Sequence, residues 1–280
     1  MKKFFRLICL ALAAAMLIAF VGCEAQNTNG DTDVTPTATT APTQIEKIKA
    51  AGELRLGTEA QYAPYEFKTA DGTIVGFDIE LAQAIADELG VELVITDMAF
   101  DGLLAALQTD AIDIAIAGMT PDADRALQVD FSKIYYEATQ SVVIRKADAE
   151  LYKTIASLTG KQVGAQKGTI QETIVKEQMT ASTLLALDKV PTLIMELIAG
   201  NIAGVVIETP VAAGYVKNNT DLMISEIVVE DEEGGSAVAV KKGSTELVDL
   251  INTVIDKVIA DGSFDTWVFE ANELSDSLTE

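Results

Sequence analysis

The sequence has no histidine and only two cysteines, Cys9 and Cys23, both near the N-terminus. Without imidazole there is no Ser-His or Cys-His nucleophile, no His-ligated zinc and no imidazole acid–base catalysis. Two cysteines so placed build no CxxC motif, no disulfide framework and no thiolate cluster. Cations are scarce too: 20 Lys and Arg stand against 43 Asp and Glu, a formal charge of −23. Such a chain lacks the basic face that nucleic acid requires, and anionic lipid surfaces repel it. Hydrophobic residues make up 49% of the 280, so the chain is not disordered, and its length suits one large domain or two small ones. Binding is favoured over catalysis, and neither a cofactor nor a metal is implied.

Met1 to Gly22 reads as a signal peptide. Lys2, Lys3 and Arg6 precede an apolar run from Leu7 to Val21. That run falls short of the roughly 20 residues a membrane span needs. It closes in Ala19-Phe20-Val21-Gly22-Cys23, which resembles a bacterial lipobox: small residues ahead of a cysteine that is acylated and becomes the mature first residue. Phe20 stands where the pattern prefers Leu, and an ordinary secretory peptide with an incidental cysteine is the alternative. Loss of residues 1–22 takes the charge from −23 to −26. The mature protein is then extracytoplasmic, held to the bacterial cell membrane by lipid on Cys23. Residues 23–44, rich in Thr, Ala, Asn and Asp and carrying Pro36 and Pro42, have no hydrophobic period and read as a flexible tether.

From Ile45 strands and helices alternate. Leu54 to Thr58 reads as a strand, and Asp71-Gly72 as a turn between Tyr65-Glu66-Phe67 and Ile74-Val75-Gly76. Asp78 is placed to cap a helix with apolar residues at Ile79, Ala82, Ile85, Ala86 and Leu89, which Gly90 stops. A strand over Val91–Ile95, a helix over Leu103–Leu107 and a strand over Ile112–Ile116 follow. The alternation restarts after Ser141–Arg145, with strands at Val163–Ala165 and Val205–Ile207 and helices at Glu172–Gln178 and Leu193–Ile198. A strand at Ser236–Val240, a helix from Leu247 to Ile259 and a helical piece bearing Phe264, Trp267 and Phe269 complete the chain. The pattern predicts an α/β fold of two lobes, each a mostly parallel sheet flanked by helices, joined by crossing strands near Ser141 and Ala237. Lobe 1 would take residues 45–138 and 236–280, and lobe 2 residues 139–235. Open α/β sheets bind ligands beyond the carboxyl ends of their strands, so two facing sheets make a cleft. The acidic run Glu230-Asp231-Glu232-Glu233 reads as a solvated turn, since it lacks the spacing of an EF-hand calcium loop.

Several segments resemble one family in order and spacing. They are Gly76-Phe77-Asp78-Ile79-Glu80-Leu81, Phe100-Asp101-Gly102-Leu103-Leu104, Ala117-Gly118-Met119-Thr120 with Arg125, and Val129-Asp130-Phe131-Ser132. Gly160 to Thr169, Ala199-Gly200 ahead of Val205–Glu208, and Val240-Lys241-Lys242-Gly243 continue the match. Together they resemble the bacterial extracellular solute-binding proteins for polar amino acids, family 3, over Ile45 to Phe269. The resemblance implies a type II periplasmic-binding-protein ("Venus flytrap") fold. It also implies a monomer that hands its amino-acid ligand to the permease of an ABC importer.

An amino acid presents a carboxylate and an ammonium on one carbon, so its site needs a cation and an anion. Arg125 can grip a carboxylate bidentately, although a surface ion pair with Asp122, Asp124 or Asp130 is the plainer reading of that residue alone. The resemblance sets Arg125, Thr120 and the Gly168-Thr169-Ile170 turn around the ligand carboxylate. Ile170 contributes only its backbone N–H, because it stands where a second Thr is common. Glu208 falls where the family has an acidic ammonium ligand, usually Asp; a strand-end Glu facing water is the alternative. Tyr62 and Phe100 would be aromatic walls, or simply core. Ala117, Gly118 and Gln166 lie in the matching segments and complete the expected site. Glu59 matches the position of a side-chain acid in relatives for cationic amino acids, which hints at arginine, lysine or ornithine. Ala203 departs from an Asp in the pattern. A lipid-anchored sensor, and a dehydratase of the prephenate or arogenate kind on the same fold, are the rival functions.

Overall fold

The computed structural model describes residues 41–231 and 234–278. The expected signal peptide, Cys23, nearly all of the expected tether, and Glu232 and Glu233 of the acidic run therefore lie outside the described residues. The first described helix starts at the last residue of the expected tether. Thr43 closes a capping box with Glu46 at the start of α1 (Gln44–Ala51), and Gly52 terminates it in the left-handed conformation.

In chain order α1 is followed by β1 (Glu53–Thr58), a small sheet of β2 (Gln61–Tyr62), β3 (Glu66–Lys68) and β4 (Ile74–Val75), then α2 (Phe77–Leu89) and β5 (Glu92–Asp97). Next come α3 (Leu103–Gln108), β6 (Ile114–Ala115), α4 (Ala123–Ala126) and β7 (Val129–Tyr136). The second unit holds β8 (Gln140–Arg145), β9 (Gln162–Gln166), α5 (Ile170–Gln178), β10 (Thr183–Leu187), α6 (Val190–Ile198), β11 (Gly204–Glu208), α7 (Thr209–Asn218) and β12 (Leu222–Ile224). The chain then returns through β13 (Ser236–Lys241), α8 (Thr245–Ala260) and α9 (Ser263–Ser277). Among the described residues no helix is long and apolar enough to cross a membrane.

Two five-stranded sheets result, ordered β5-β1-β6-β13-β7 and β10-β9-β11-β8-β12. They are mixed. β1 runs parallel to β5 and β6, and β9 parallel to β10 and β11, as helical crossovers require. The pairings of β13 with β6 and β7, and of β8 with β11 and β12, are antiparallel. Parallel order is enforced only where a helix returns the chain to the same end of a sheet. A strand arriving directly from the other lobe, such as β8 or β13, is free of that constraint.

The chain leaves β7 for the second lobe at residues 137–139 and re-enters the first through Gly234 and Gly235, so Ser141 and Ala237 lie just inside β8 and β13 rather than in the crossings. The two crossings touch. A Cβ on Gly235, whose φ is +116°, would sit 2.6 Å from Ile134 Cγ2 and 3.0 Å from the Tyr136 carbonyl. Only glycine lets the returning chain pass there.

α2 begins differently from the sequence expectation. Gly76 is the N-cap, and Asp78 lies buried inside the first turn with its carboxylate turned away from the helix N–H groups. Gly76 has φ +129°, and a Cβ there would lie 2.1 Å from the Tyr65 carbonyl oxygen, so the β3 approach packs directly on the helix start. The strand expected over Ile112–Ile116 pairs only at Ile114–Ala115. Asp113 beside it accepts from the Arg55 guanidinium and backbone N–H and from Gln44, tying α1, β1 and β6 together. One buried apolar cluster contains Tyr62, Tyr65 and Phe67 of the first lobe with Leu193, Ile207 and Val211 of the second, so the lobes are apposed.

Candidate functional site

Residues at or just beyond the carboxyl ends of β1, β5, β6 and β9 meet between the lobes, as the position of ligands in open α/β sheets requires. They line a small, closed-down cavity between the lobes. Glu59, Tyr62, Phe100, Ala117, Gly118, Thr120, Arg125, Gln166, Thr169 and Ile170 line it, with Glu66 and Gln171. Glu208 stands apart: it is buried outside the lining, and its backbone N–H donates to the Tyr62 hydroxyl at 3.3 Å.

Arg125 is buried although it belongs to a one-turn helix. Its Nη1 donates to the Thr120 carbonyl at 2.5 Å, its Nη2 to the Gly168 carbonyl of the other lobe at 2.9 Å, and Phe100 lies under the guanidinium at 5.4 Å. Its Nε also pairs with Asp122 at 3.1 Å. The ion pair considered from sequence therefore exists, yet the same guanidinium faces the cavity. Opposite it, Thr169 caps α5 by accepting from the Glu172 N–H, and the first turn, Ile170 and Gln171, opens onto the cavity. A helix start so placed favours an anion. Thr120 Oγ1, also buried, has no hydrogen-bond partner.

The remaining wall is acidic. Glu59 is buried and accepts from Gln166 Nε2 at 3.2 Å across the lobes; burial pushes its carboxyl up to about 7. Glu66 is fully buried with both oxygens unpartnered, and burial beside Asp78 holds it well above the usual carboxylate range. Glu208, also fully buried, is pushed up to about 8 by desolvation. The Tyr65 hydroxyl and Gln140 amide stand near enough to oppose that rise, but no donor is within bonding length of Glu208. Buried carboxylates without donors are expensive to ionise unless a cation joins them. Among the described residues no group of acids converges in a metal-binding arrangement.

Glu66 and Gln171 carry little in the sequence that marks them for a site. Gln171 is an ordinary first-turn residue. Glu66 offers one signal, an acid between Tyr65 and Phe67 in a strand, where both neighbours are core residues.

Two facing α/β lobes, joined by two crossings around a small polar cavity, define a ligand-binding protein of the flytrap class. The chain belongs to the bacterial extracellular solute-binding proteins, family 3, which match residues 54–268. It is similar to the arginine-binding extracellular protein ArtP of Bacillus subtilis (strain 168), at 34% identity over 270 residues, 95% of this chain and 96% of that protein. Among solved structures it resembles the amino acid ABC transporter substrate-binding protein AbpA of Streptococcus pneumoniae bound to L-arginine. That match has 41% identity and a TM-score of 0.80, covering 82% of this chain and 98% of that one. An ancestral amino-acid-binding protein described as a precursor of cyclohexadienyl dehydratase is also similar, with 30% identity and a TM-score of 0.75 over 85% of this chain and all of that one.

Proposed function

We propose that this protein captures a cationic amino acid, L-arginine first among them, outside the cytoplasm and delivers it to an ABC importer. One observation carries the ligand class. The cavity sets a single guanidinium, Arg125, against Glu59 and Glu66, with Asp78 and Glu208 buried behind them. A ligand with one carboxylate and two cationic groups complements that inventory; a neutral or acidic amino acid leaves buried carboxylates unmatched. The relatives named for arginine support the same choice.

In this reading Arg125, the Thr120 hydroxyl, Thr169 and the backbone N–H of Ile170 receive the ligand carboxylate. Glu208, longer by one methylene than the usual aspartate, turns toward the cavity and takes the ammonium. Tyr62 and Phe100 exclude water, Gln166 orients Glu59, and Glu59 and Glu66 attract the cationic side chain. Ala117 and Gly118 leave room for the ligand backbone. Lipid on Cys23 anchors a monomeric protein to the membrane, and the crossings at residues 137–139 and at Gly234-Gly235 act as the hinge. In this reading the protein carries out no chemistry of its own, as the relatives named as binding proteins suggest.

A thermal-unfolding screen against the common amino acids and ornithine tests the ligand class. A ligand at 100 times its Kd stabilises by about 2.7 kcal/mol. Arginine, lysine or ornithine should give the largest rise. A larger rise with a neutral or acidic amino acid overturns the reading, and appearance of the absorbance of an aromatic product on incubation with prephenate would revive the enzyme.

A further inference from the structure

Asp78 does not line the cavity, yet two elements of the site meet on it. Its Oδ2 accepts from the Gly118 backbone N–H at 3.0 Å and its Oδ1 from the Tyr135 hydroxyl at 2.8 Å. Its other neighbour is the Glu66 carboxyl, which does face the cavity. Gly118 belongs to the segment from Ala117 to Thr120, whose last carbonyl also holds Arg125. A single buried carboxylate on α2 thus touches both the strand that presents Glu66 and the loop that holds Arg125.

Two adjacent buried carboxylates do not both ionise readily. Asp78 has two donors to support its charge, whereas no N–H or hydroxyl donor reaches either oxygen of Glu66, whose carboxyl faces that of Asp78. The proton of the pair therefore belongs on Glu66. Every other acid facing the pair strengthens that preference: Glu59 beyond β1 and Glu208 on β11 both raise Glu66. The tyrosines packed around it, Tyr62, Tyr65 and Tyr135, are themselves held neutral by burial. The guanidinium on the same cavity, Arg125, is already bonded to Thr120, Gly168 and Asp122.

We propose that Asp78 is a positioning residue of the binding site: it pins the Gly118 turn through one oxygen and keeps a proton on Glu66, which a cationic ligand must displace to bind. Binding is then coupled to proton release. This rests on reading the cleft as a site for a cationic amino acid. Acid weakens capture in a way set by Asp78, although Asp78 never touches the ligand.

Three variants, D78N, D78A and E66Q, test this by calorimetry with L-arginine between pH 5 and 8, with circular dichroism to check folding. For the wild type, Kd should rise as pH falls, toward about tenfold per pH unit for one proton. In D78N the asparagine oxygen still accepts from Gly118, while its amide donates to an ionised Glu66 and the neighbouring charge is gone. Glu66 then loses its proton more easily, so the pH dependence should flatten. D78A leaves the Gly118 N–H and the Tyr135 hydroxyl without an acceptor and should weaken binding at least tenfold at every pH. D78N should recover part of that loss at pH 8. A ligand-independent readout accompanies these: carbon-13 titration of the glutamate carboxyls should show a high-titrating resonance, absent in E66Q, that moves to lower pH in D78N. If that resonance and the pH profile are the same in D78N as in the wild type, the inference is overturned. If the resonance moves but no cationic amino acid binds the wild type, the ligand reading fails and the Asp78–Glu66 coupling stands.

Discussion

Replacing Arg125 by alanine separates a ligand clamp from a structural arginine. The guanidinium bonds to the Thr120 and Gly168 carbonyls, pairs with Asp122 and lies over Phe100. Removing it has two costs that differ in size and in where they appear. The structural cost is the Asp122 pair, about 0–1 kcal/mol because Asp122 is a quarter exposed, plus about 1–3 kcal/mol for carbonyls left without a donor. For a chain of this length each kcal/mol lowers Tm by about 2–4 °C, so the variant should stay folded at room temperature. The binding cost is larger. Truncating one partner of a buried charge pair loses about 2–5 kcal/mol, or roughly 30- to 4,000-fold in Kd. At the arginine concentration that stabilises the wild type by about 2.7 kcal/mol, the variant should gain less than about 1 kcal/mol. Calorimetry and thermal unfolding with and without ligand read the two costs separately. R125K keeps the charge without the planar fork and should fall between wild type and alanine. A folded R125A protein that binds arginine within about threefold of wild type would refute the clamp, and with it most of the assigned roles around the cavity.

Three further expectations follow. Cys23→Ser should release the protein from the membrane fraction; unchanged detergent partitioning would exclude the lipid anchor. Saturating ligand should reduce the radius of gyration in small-angle scattering as the lobes close about residues 137–139 and Gly234-Gly235, and superimposable curves would count against a hinge. The ligand-free protein should lose stability as pH rises from about 5 to 8. Glu59 and Glu208 stand at about 7 and about 8 when folded, above the ordinary 4.5, so their contribution is fully present below the unfolded value and lost as pH climbs through the folded ones. Arginine should restore much of that loss, and a Tm flat or rising over this range without ligand would contradict the buried acid cluster.

The periodicities were sufficient for the α/β class and most helices, because Ile79, Ala82, Ile85, Ala86 and Leu89 on α2, or Leu247, Ile251, Val254, Ile255 and Val258 on α8, must face a core at a 3.6-residue spacing whatever that core contains. The absence of histidine and the acid excess likewise excluded whole classes of chemistry before any fold was considered. The antiparallel half of each sheet was not legible. Strand direction depends on where the chain comes from, and β8 and β13 come from the opposite lobe. Alternation of apolar runs also missed α1, β10, α7 and β12. The meaning of the acids was decided only in three dimensions. Asp78 looked like a helix cap because capping is a local property, but its real partners, Gly118 and Tyr135, lie 40 and 57 residues away. Glu66 was one acid in a short strand until folding removed it from water beside Asp78, Glu59 and Glu208. A sequence specifies how many charges a chain has. Which of them share a low-dielectric space, and so which ligand charge would complete them, is a property of tertiary structure, since desolvation depends on everything packed around the group.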